Sequence, residues 1–374
     1  MNKKEIAEIK KQFDPDRCAI SRICGCYVDH EKQIKTQFKQ AFLALPQEEM
    51  FKYFSILKAT LSGTLGKNLL NMEFPLDAES EGGPQAFLLK LRDSKLQDDA
   101  VIDEFYKKII EYYNYGENYY IVLIHATYDV PGKAKDGMEM DDASDTVYEH
   151  ILCSICPVNL AKSALCYNEE HNSIEERIRV WVVDAPVHGF LFPAFNDRAS
   201  DIHGLLYYSK NPETLQQEFI EDMFGCMQPL TSKSQKSAFG AIIEETLGDD
   251  CNFEAVKTIH ENLHDIIEEN KESPVPVTFE KNDVKRLLEV SGASDEALVD
   301  FDTHFEDSAD EKAVFAAANV VNARSFEVKT PDVVVKVNPA KTNLVETREI
   351  DGRKYLMIEI SDNVEVNGIT IHSI

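Results

Sequence analysis

The feature that most constrains this chain is a change of texture near residue 119. Tyr119–Tyr128, Tyr148–Pro157, Arg177–Ala185 and Gly204–Tyr208 are rich in β-branched and aromatic residues and are separated by polar turns. That pattern predicts a sheet of four or more strands with helices packed on it. The longest apolar run, Tyr119–Ile124, is far shorter than the ~20 residues a membrane span needs. The acidic, Gly-containing segment 131–146 reads as a loop between two strands, with the paired acids Asp141 and Asp142 solvated in it.

Ahead of this block, residues 2–12 place Ile6, Ile9 and Phe13 near helical spacing, and Asp14-Pro15 ends that helix. Cys18–Val28 alternates in a β-compatible way around Gly25. Helices are expected over 30–45 and 47–62, split by Pro46, and over 98–115. Residues 77–84 read as loop. After Pro212 the chain turns helical, over roughly 213–224, 233–247, 252–270, 281–290 and 295–305. From Arg324 it is β again: Phe326–Val337, Leu344–Ile350, Lys354–Ile360 and Val364–Ile371, with Asp351-Gly352 as a hairpin turn. The expected class is therefore α+β. An N-terminal mixed helix and sheet domain over 1–210 is followed by a helical segment over 211–320. A small C-terminal β unit over 321–374 packs with that segment.

Charge divides the chain. The formal net charge is −27, yet residues 1–70 hold 12 Lys and Arg against 8 Asp and Glu. The remaining 304 residues thus carry −31. An acidic surface repels nucleic acid and anionic lipid. It leaves the N-terminal part free to meet an anionic partner or the acidic body of another copy. Eight cysteines and the Lys-rich start, with no apolar signal region, point to reduced thiols and a cytoplasmic location.

One motif carries catalytic chemistry. His260-Glu261-Asn262-Leu263-His264 fits H-E-x-x-H, in which two His one helical turn apart hold Zn²⁺ and the Glu is the general base. Against it, the helix's apolar stripe is Val256, Ile259, Leu263, Ile266 and Ile267. At ~100° per residue Glu261 lies nearly opposite that stripe, on an expected solvated face. Asp265 follows the second His directly. A third ligand is not evident, although Glu280 or Glu289 lies downstream.

The pairs Cys24/Cys26 and Cys153/Cys156 suit zinc only if they meet in space. Residues i and i+3 of a strand point to opposite faces, so buried structural thiols are expected. Gly63–Asn68 resembles a phosphate loop only superficially, with Leu61 in place of the first Gly and Asn68 in place of Ser or Thr. His188, near a strand end, reads as structural.

NKKEIAEIKKQF at 2–13, RICGCYVD at 22–29, ICPV at 155–158, GFLFPAFNDR at 189–198, FEVKTPDVVVKVNPA at 326–340 and IDGRKY at 350–355 resemble an uncharacterised bacterial family. It is a domain of unknown function found mainly in Gram-positive anaerobes. The likeness runs end to end and implies no activity. Residues 215–290 are also similar to the nucleoid-associated protein family of roughly 37 kDa. Phe219, Asp222, Met223, Phe224 and Gly225 stand in its aromatic and acidic turn. Thr231 and Gln235 stand in its short polar element, and the closing strands are similar as well.

That second resemblance implies a non-enzymatic, nucleic-acid-proximal protein. The expected contacts are Lys3, Lys4, Lys10, Lys11, Lys233 and Lys236, and residues 223–243 contain no Asp or Glu. The alternatives are a zinc-dependent hydrolase, with His260 and His264 as ligands and Glu261 as base, and an oligomeric scaffold. No cofactor is expected outside the zinc alternative. Nucleic acid and further copies of the chain are the expected partners, with no membrane.

Overall fold

The computed structural model describes residues 1–133, 139–140, 146–322, 325–360, 364–366 and 368–371. Asp141 and Asp142 lie outside the described residues. The chain is α+β and divides into two units, Met1–Thr231 and Ser232–Ile374. The division falls after Thr231 and not near residue 210. The helix Gln217–Phe224 buries Phe219, Ile220, Met223 and Phe224 in the first unit's core, which carries the chain past 210 before it leaves.

In the first unit, α1 (Lys3–Lys10) precedes strands β1 (Ile20–Val28) and β2 (Ile34–Ala41). Helix α2 (Gln47–Thr60), strand β3 (Leu69–Glu73) and helices α3 (Pro84–Asp93) and α4 (Asp99–Tyr112) follow. Next come β4 (Tyr119–Val130), β5 (Thr146–Leu160), β6 (Leu165–Asn168), β7 (Ser173–Glu176) and β8 (Trp181–Val183). Strands β9 (His188–Phe192) and β10 (Gly204–Ser209) lead into α5, Gln217–Phe224.

The eight-stranded sheet has the order β2-β1-β4-β5-β9-β10-β3, with β8 also paired to β5. The pairings are antiparallel. Antiparallel sheets often leave one face wet. Here both faces are covered, and β4 is buried without interruption from Tyr119 to Ala126. One face packs Ile121, Leu123, Cys153 and Phe190 against α3, α4 and α5. The other packs Val122, Ile124, Leu152 and Leu191 against α1 and α2. A continuous apolar strand is what two buried faces require.

The helix expected over 30–45 is instead strand β2 and a short 3₁₀ turn, Phe42–Ala44. Pairing overrides the helix-compatible composition: Cys26 stands opposite Gln37 and Gly25 opposite Phe38 along β1. Gly25 has a packing role there. A Cβ at that position would overlap the Phe38 ring and the Tyr120 hydroxyl.

The second unit is helical first and β last, as the sequence texture predicts. Helices α6 (Ser232–Leu247), α7 (Phe253–Glu269), α8 (Lys281–Val290) and α9 (Phe301–Ser308) bury Phe239, Ile242, Leu288, Phe301 and Phe305. Gln235, buried in α6, accepts hydrogen bonds from Ala316 N at 2.9 Å and Asn319 Nδ2 at 3.1 Å. Three separate antiparallel pairs close the chain: 326–329 with 334–337, 345–350 with 353–358, and 364–366 with 369–371. Among the described residues no helix is long and apolar enough to cross a membrane.

Candidate functional site

The four N-terminal lysines of the sequence reading all lie on or next to α1. Asn2 caps this helix, and Glu5 completes the capping box. Ile6 and Ile9 turn inward. Residues seven apart on a helix share a face, so Lys3 aligns with Lys10 and Lys4 with Lys11. Both acids of the helix are engaged elsewhere. Buried Glu5 accepts from Asn2 N at 2.7 Å and Asp197 N at 2.8 Å. Glu8 pairs with Arg198 at 2.9 Å and accepts from the Tyr128 hydroxyl at 2.9 Å. The helix therefore presents cations outward and spends its carboxylates inward.

Lys10 and Lys11 line a cleft of about 640 Å³ with Ala7, Asp14, Asp16, Arg17 and Lys58. Lys10 Nζ donates to Ser62 Oγ at 2.5 Å, and that hydroxyl donates to the Lys58 carbonyl at 2.5 Å. This chain ties the end of α1 to the end of α2. Four cations face two carboxylates, so the cleft is net positive within a chain of charge −27. Arg17 and Lys58 were not singled out from the sequence, although both belong to its locally basic first 70 residues. Lys3 and Lys4 are exposed at the opposite end of α1 and do not line the cleft. Lys233 and Lys236 lie in α6 of the second unit.

The H-E-x-x-H residues occupy α7, but their face is not solvated. Glu261 Oε1 accepts from the Thr342 hydroxyl at 2.5 Å. The His260 ring meets Phe326 edge-on, 5.3 Å between centroids. Burial, then the charges of Lys236 and His264, lower the His260 pKa. The Nδ1 of His264 is buried without a hydrogen-bond partner. The returning C-terminal segment thus covers the side of α7 that the helical wheel assigns to water. Glu280 caps α8, with its backbone N–H donating to Asp283 at 2.9 Å, and Glu289 is exposed. Among the described residues no three His, Cys, Asp or Glu converge as a metal site.

The cysteine pairs lie in the central sheet. Cys24, Cys26 and Cys153 face one core and Cys156 the other, as strand geometry requires. Burial raises the pKa of Cys24, Cys26 and Cys156 to about 12 and that of Cys153 well up. These thiols stay protonated and unreactive. Asn68, at the phosphate-loop-like turn, donates to the carbonyls of Ser209 and Lys210 at 3.1 Å and so closes the sheet edge. His188 is structural: its Nδ1 meets the Tyr113 hydroxyl at 2.7 Å and its Nε2 the Thr214 carbonyl at 2.8 Å.

A further constellation was invisible in the sequence. At an irregularity of β1, the exposed Ser21 places Oγ 2.6 Å from His125 Nδ1 and 3.1 Å from the His125 carbonyl. His125 Nε2 lies 2.9 Å from Glu149 Oε1, with Lys95 3.5 Å from the same oxygen. Burial lowers the His125 pKa, against the opposing pull of Glu149, so the ring is neutral at neutral pH. The residues are 104 and 24 positions apart in sequence.

No curated protein and no solved structure matches the chain. A family model, described as a domain of unknown function, DUF4317, matches residues 1–369. The end-to-end likeness read from the N-terminal, central and C-terminal motifs is therefore a family relationship, and the chain belongs to the DUF4317 domain family.

Proposed function

We propose that the first unit binds an anionic polymer, nucleic acid, through the basic cleft at the end of α1. The observation that carries this reading is the convergence of Lys10, Lys11, Arg17 and Lys58 around one concavity while Glu5 and Glu8 are turned inward. Cationic side chains around a groove track phosphates without reading bases, and binding releases condensed counterions. Three or four phosphate contacts give a slope of roughly −3 for log K against log salt on duplex DNA. Fluorescence anisotropy with a labelled oligonucleotide at low salt tests this. The K10A/K11A/K58A variant should lose most of the binding and flatten the slope. Absence of binding by the wild-type chain at low salt rejects the proposal.

The Ser21–His125–Glu149 chain supports a second reading, transfer of an acyl group to Ser21. As Ser21 Oγ bonds to the acyl carbon, a neutral imidazole accepts the hydroxyl proton on Nδ1 and returns it to the leaving group when the acyl–leaving-group bond breaks, while its Nε2–H donates to Glu149. The usual triad presents Nε2 to the serine; here the ring is reversed. A fluorophosphonate probe should label the wild type and not S21A, with slower labelling of E149Q. An unlabelled wild type rejects this reading.

A further inference from the structure

One end of the central sheet opens into a cleft of about 590 Å³. That size lies within the ~300–1,000 Å³ usual for small-molecule sites. Three parts of the first unit build it. The turn after β1 brings Asp29, His30 and Lys35. The residues ahead of β4 bring Gly116, Glu117 and Asn118, and the end of β5 meets β8 at Trp181. Trp181 stands opposite Leu160, two residues on from Val158, and Tyr27 stands opposite Tyr120. Val158 and Tyr120 face the same core, so alternation puts both aromatic rings of the cleft on one side of the sheet.

The polar groups of the cleft are held in place. Buried Asn118 accepts from His30 N at 2.9 Å and donates to the Tyr27 hydroxyl at 3.1 Å. The Tyr27 oxygen is thus engaged as an acceptor, and its own proton is left to donate. Buried Asp29 accepts from Glu31 N at 3.0 Å and Gln33 N at 2.8 Å, and pairs with Lys35 at 2.6 Å. The exposed Glu117 carboxylate has no hydrogen-bond or ion-pair partner among the described residues. Trp181, the chain's one tryptophan, is 56% exposed beside them.

We propose that this cleft binds a neutral saccharide. The lining selects that class. Asp29 and Glu117 outnumber Lys35, and Lys35 is spent on Asp29, so a phosphate or carboxylate ligand finds no unpaired lysine or arginine. A cationic ligand meets the Lys35 ammonium where it would need Asp29. A wholly apolar ligand would strip water from Glu117 and Lys35 without replacing its hydrogen bonds. A sugar ring answers both kinds of lining. Its C–H face is apolar and covers an indole or phenol ring, while each hydroxyl on its rim both donates and accepts. The Tyr27 hydroxyl donates to such a rim, and Glu117 accepts from it.

Trp181 emission reports directly on the cleft, because no other tryptophan contributes. The full chain is titrated with maltohexaose, cellohexaose and chitohexaose at millimolar concentration. At least one should give a saturable blue shift and protect Trp181 from acrylamide quenching. Y27F keeps the ring and removes the donor, so it should weaken that binding roughly three- to tenfold, the loss of one hydrogen bond. E117A, at an exposed site, should weaken it by a similar factor with an unchanged circular dichroism spectrum. W181A should abolish the heat of binding in calorimetry. No response to any of the three sugars overturns the proposal. So does a response unchanged in both Y27F and E117A, a heat of binding that survives W181A, or a response to AMP or tetramethylammonium in place of the sugars.

Discussion

The two units solve the burial of β structure in different ways. In the first, helices cover both faces of one eight-stranded sheet, and its central strands are buried over Tyr119–Ala126 of β4 and throughout β9. In the second, the strands form isolated antiparallel pairs, with Val334, Tyr355 and Ile358 exposed. The dry sheet traps groups that water would otherwise serve. His150 is fully buried, stacked 4.5 Å from Tyr148, with neither ring nitrogen hydrogen-bonded. His188 is buried among aromatic rings.

The largest expected difference between the units is therefore acid sensitivity. Burial lowers the pKa of His150 to about 3 and that of His188 to about 4, from 6.5. The unfolded chain then binds protons that the folded chain refuses. The stability held by the neutral rings is complete above pH 6.5 and is lost as pH falls toward those values. Two such groups cost about 5 kcal/mol by pH 4.5, at about 1.4 kcal/mol per group per pH unit. Hydrogen exchange should show β4 and β5 losing protection over this window more steeply than α7. His150→Phe, which keeps the stacking and removes the titration, should remove about half of the slope. Equal pH dependence in the two units would break the contrast.

Core truncation should separate the units next. Phe190 is fully buried between Phe105 and Phe224. Phe190→Ala should cost about 3–5 kcal/mol in denaturant melts. Val334→Ala, at a half-exposed strand position, should stay within about 0.5 kcal/mol. Gly25→Ala tests the crowding between β1 and its neighbours, with an expected loss of about 1–3 kcal/mol from overpacking. A neutral Gly25→Ala would show that Phe38 and Tyr120 yield freely.

The same contrast explains what was legible in the sequence. Tyr119–Tyr128 and Tyr148–Pro157 read as strands because burial on both faces leaves a continuous apolar run. Strand β2 did not, because it is an edge strand whose exposed Lys35, Thr36 and Gln37 suit a helix surface equally well. Strand β9 is short, and its HGFLF sequence lacks any alternation. In the basic cleft, Lys10 and Lys11 were legible from local charge. Lys58 joins them only through the packing of α2, and no local pattern encodes that. Ser21 and His125 meet only because β1 and β4 are neighbours in the sheet. Of the C-terminal pairs, 345–350 with 353–358 was legible from the Asp351-Gly352 turn, whereas Phe326–Val337 and Val364–Ile371 each read as one strand and instead fold back on themselves as hairpins. What the wheel of α7 lacked was the segment that returns to cover it.

That returning segment gives the smallest effect. Thr342 is buried, and its hydroxyl donates to Glu261 at 2.5 Å, so the carboxylate of the H-E-x-x-H motif is held by a structural partner. Thr342→Val keeps the volume and removes the donor. A hydrogen bond to a charged group contributes about 1.5–3 kcal/mol when buried, and less here because Glu261 is half-exposed. The expected cost is about 1 kcal/mol, read as lost hydrogen-exchange protection in α7 and in residues 339–344 together. Glu261→Met, which keeps the length and removes the acceptor, should cost about the same, and the double variant little more than either alone, since both remove one interaction. If the two losses add in full, Glu261 acts elsewhere, and a role for it beyond holding the C-terminal segment is reopened. If they coincide, the motif's central residue is committed to packing the β end of the second unit onto its helices.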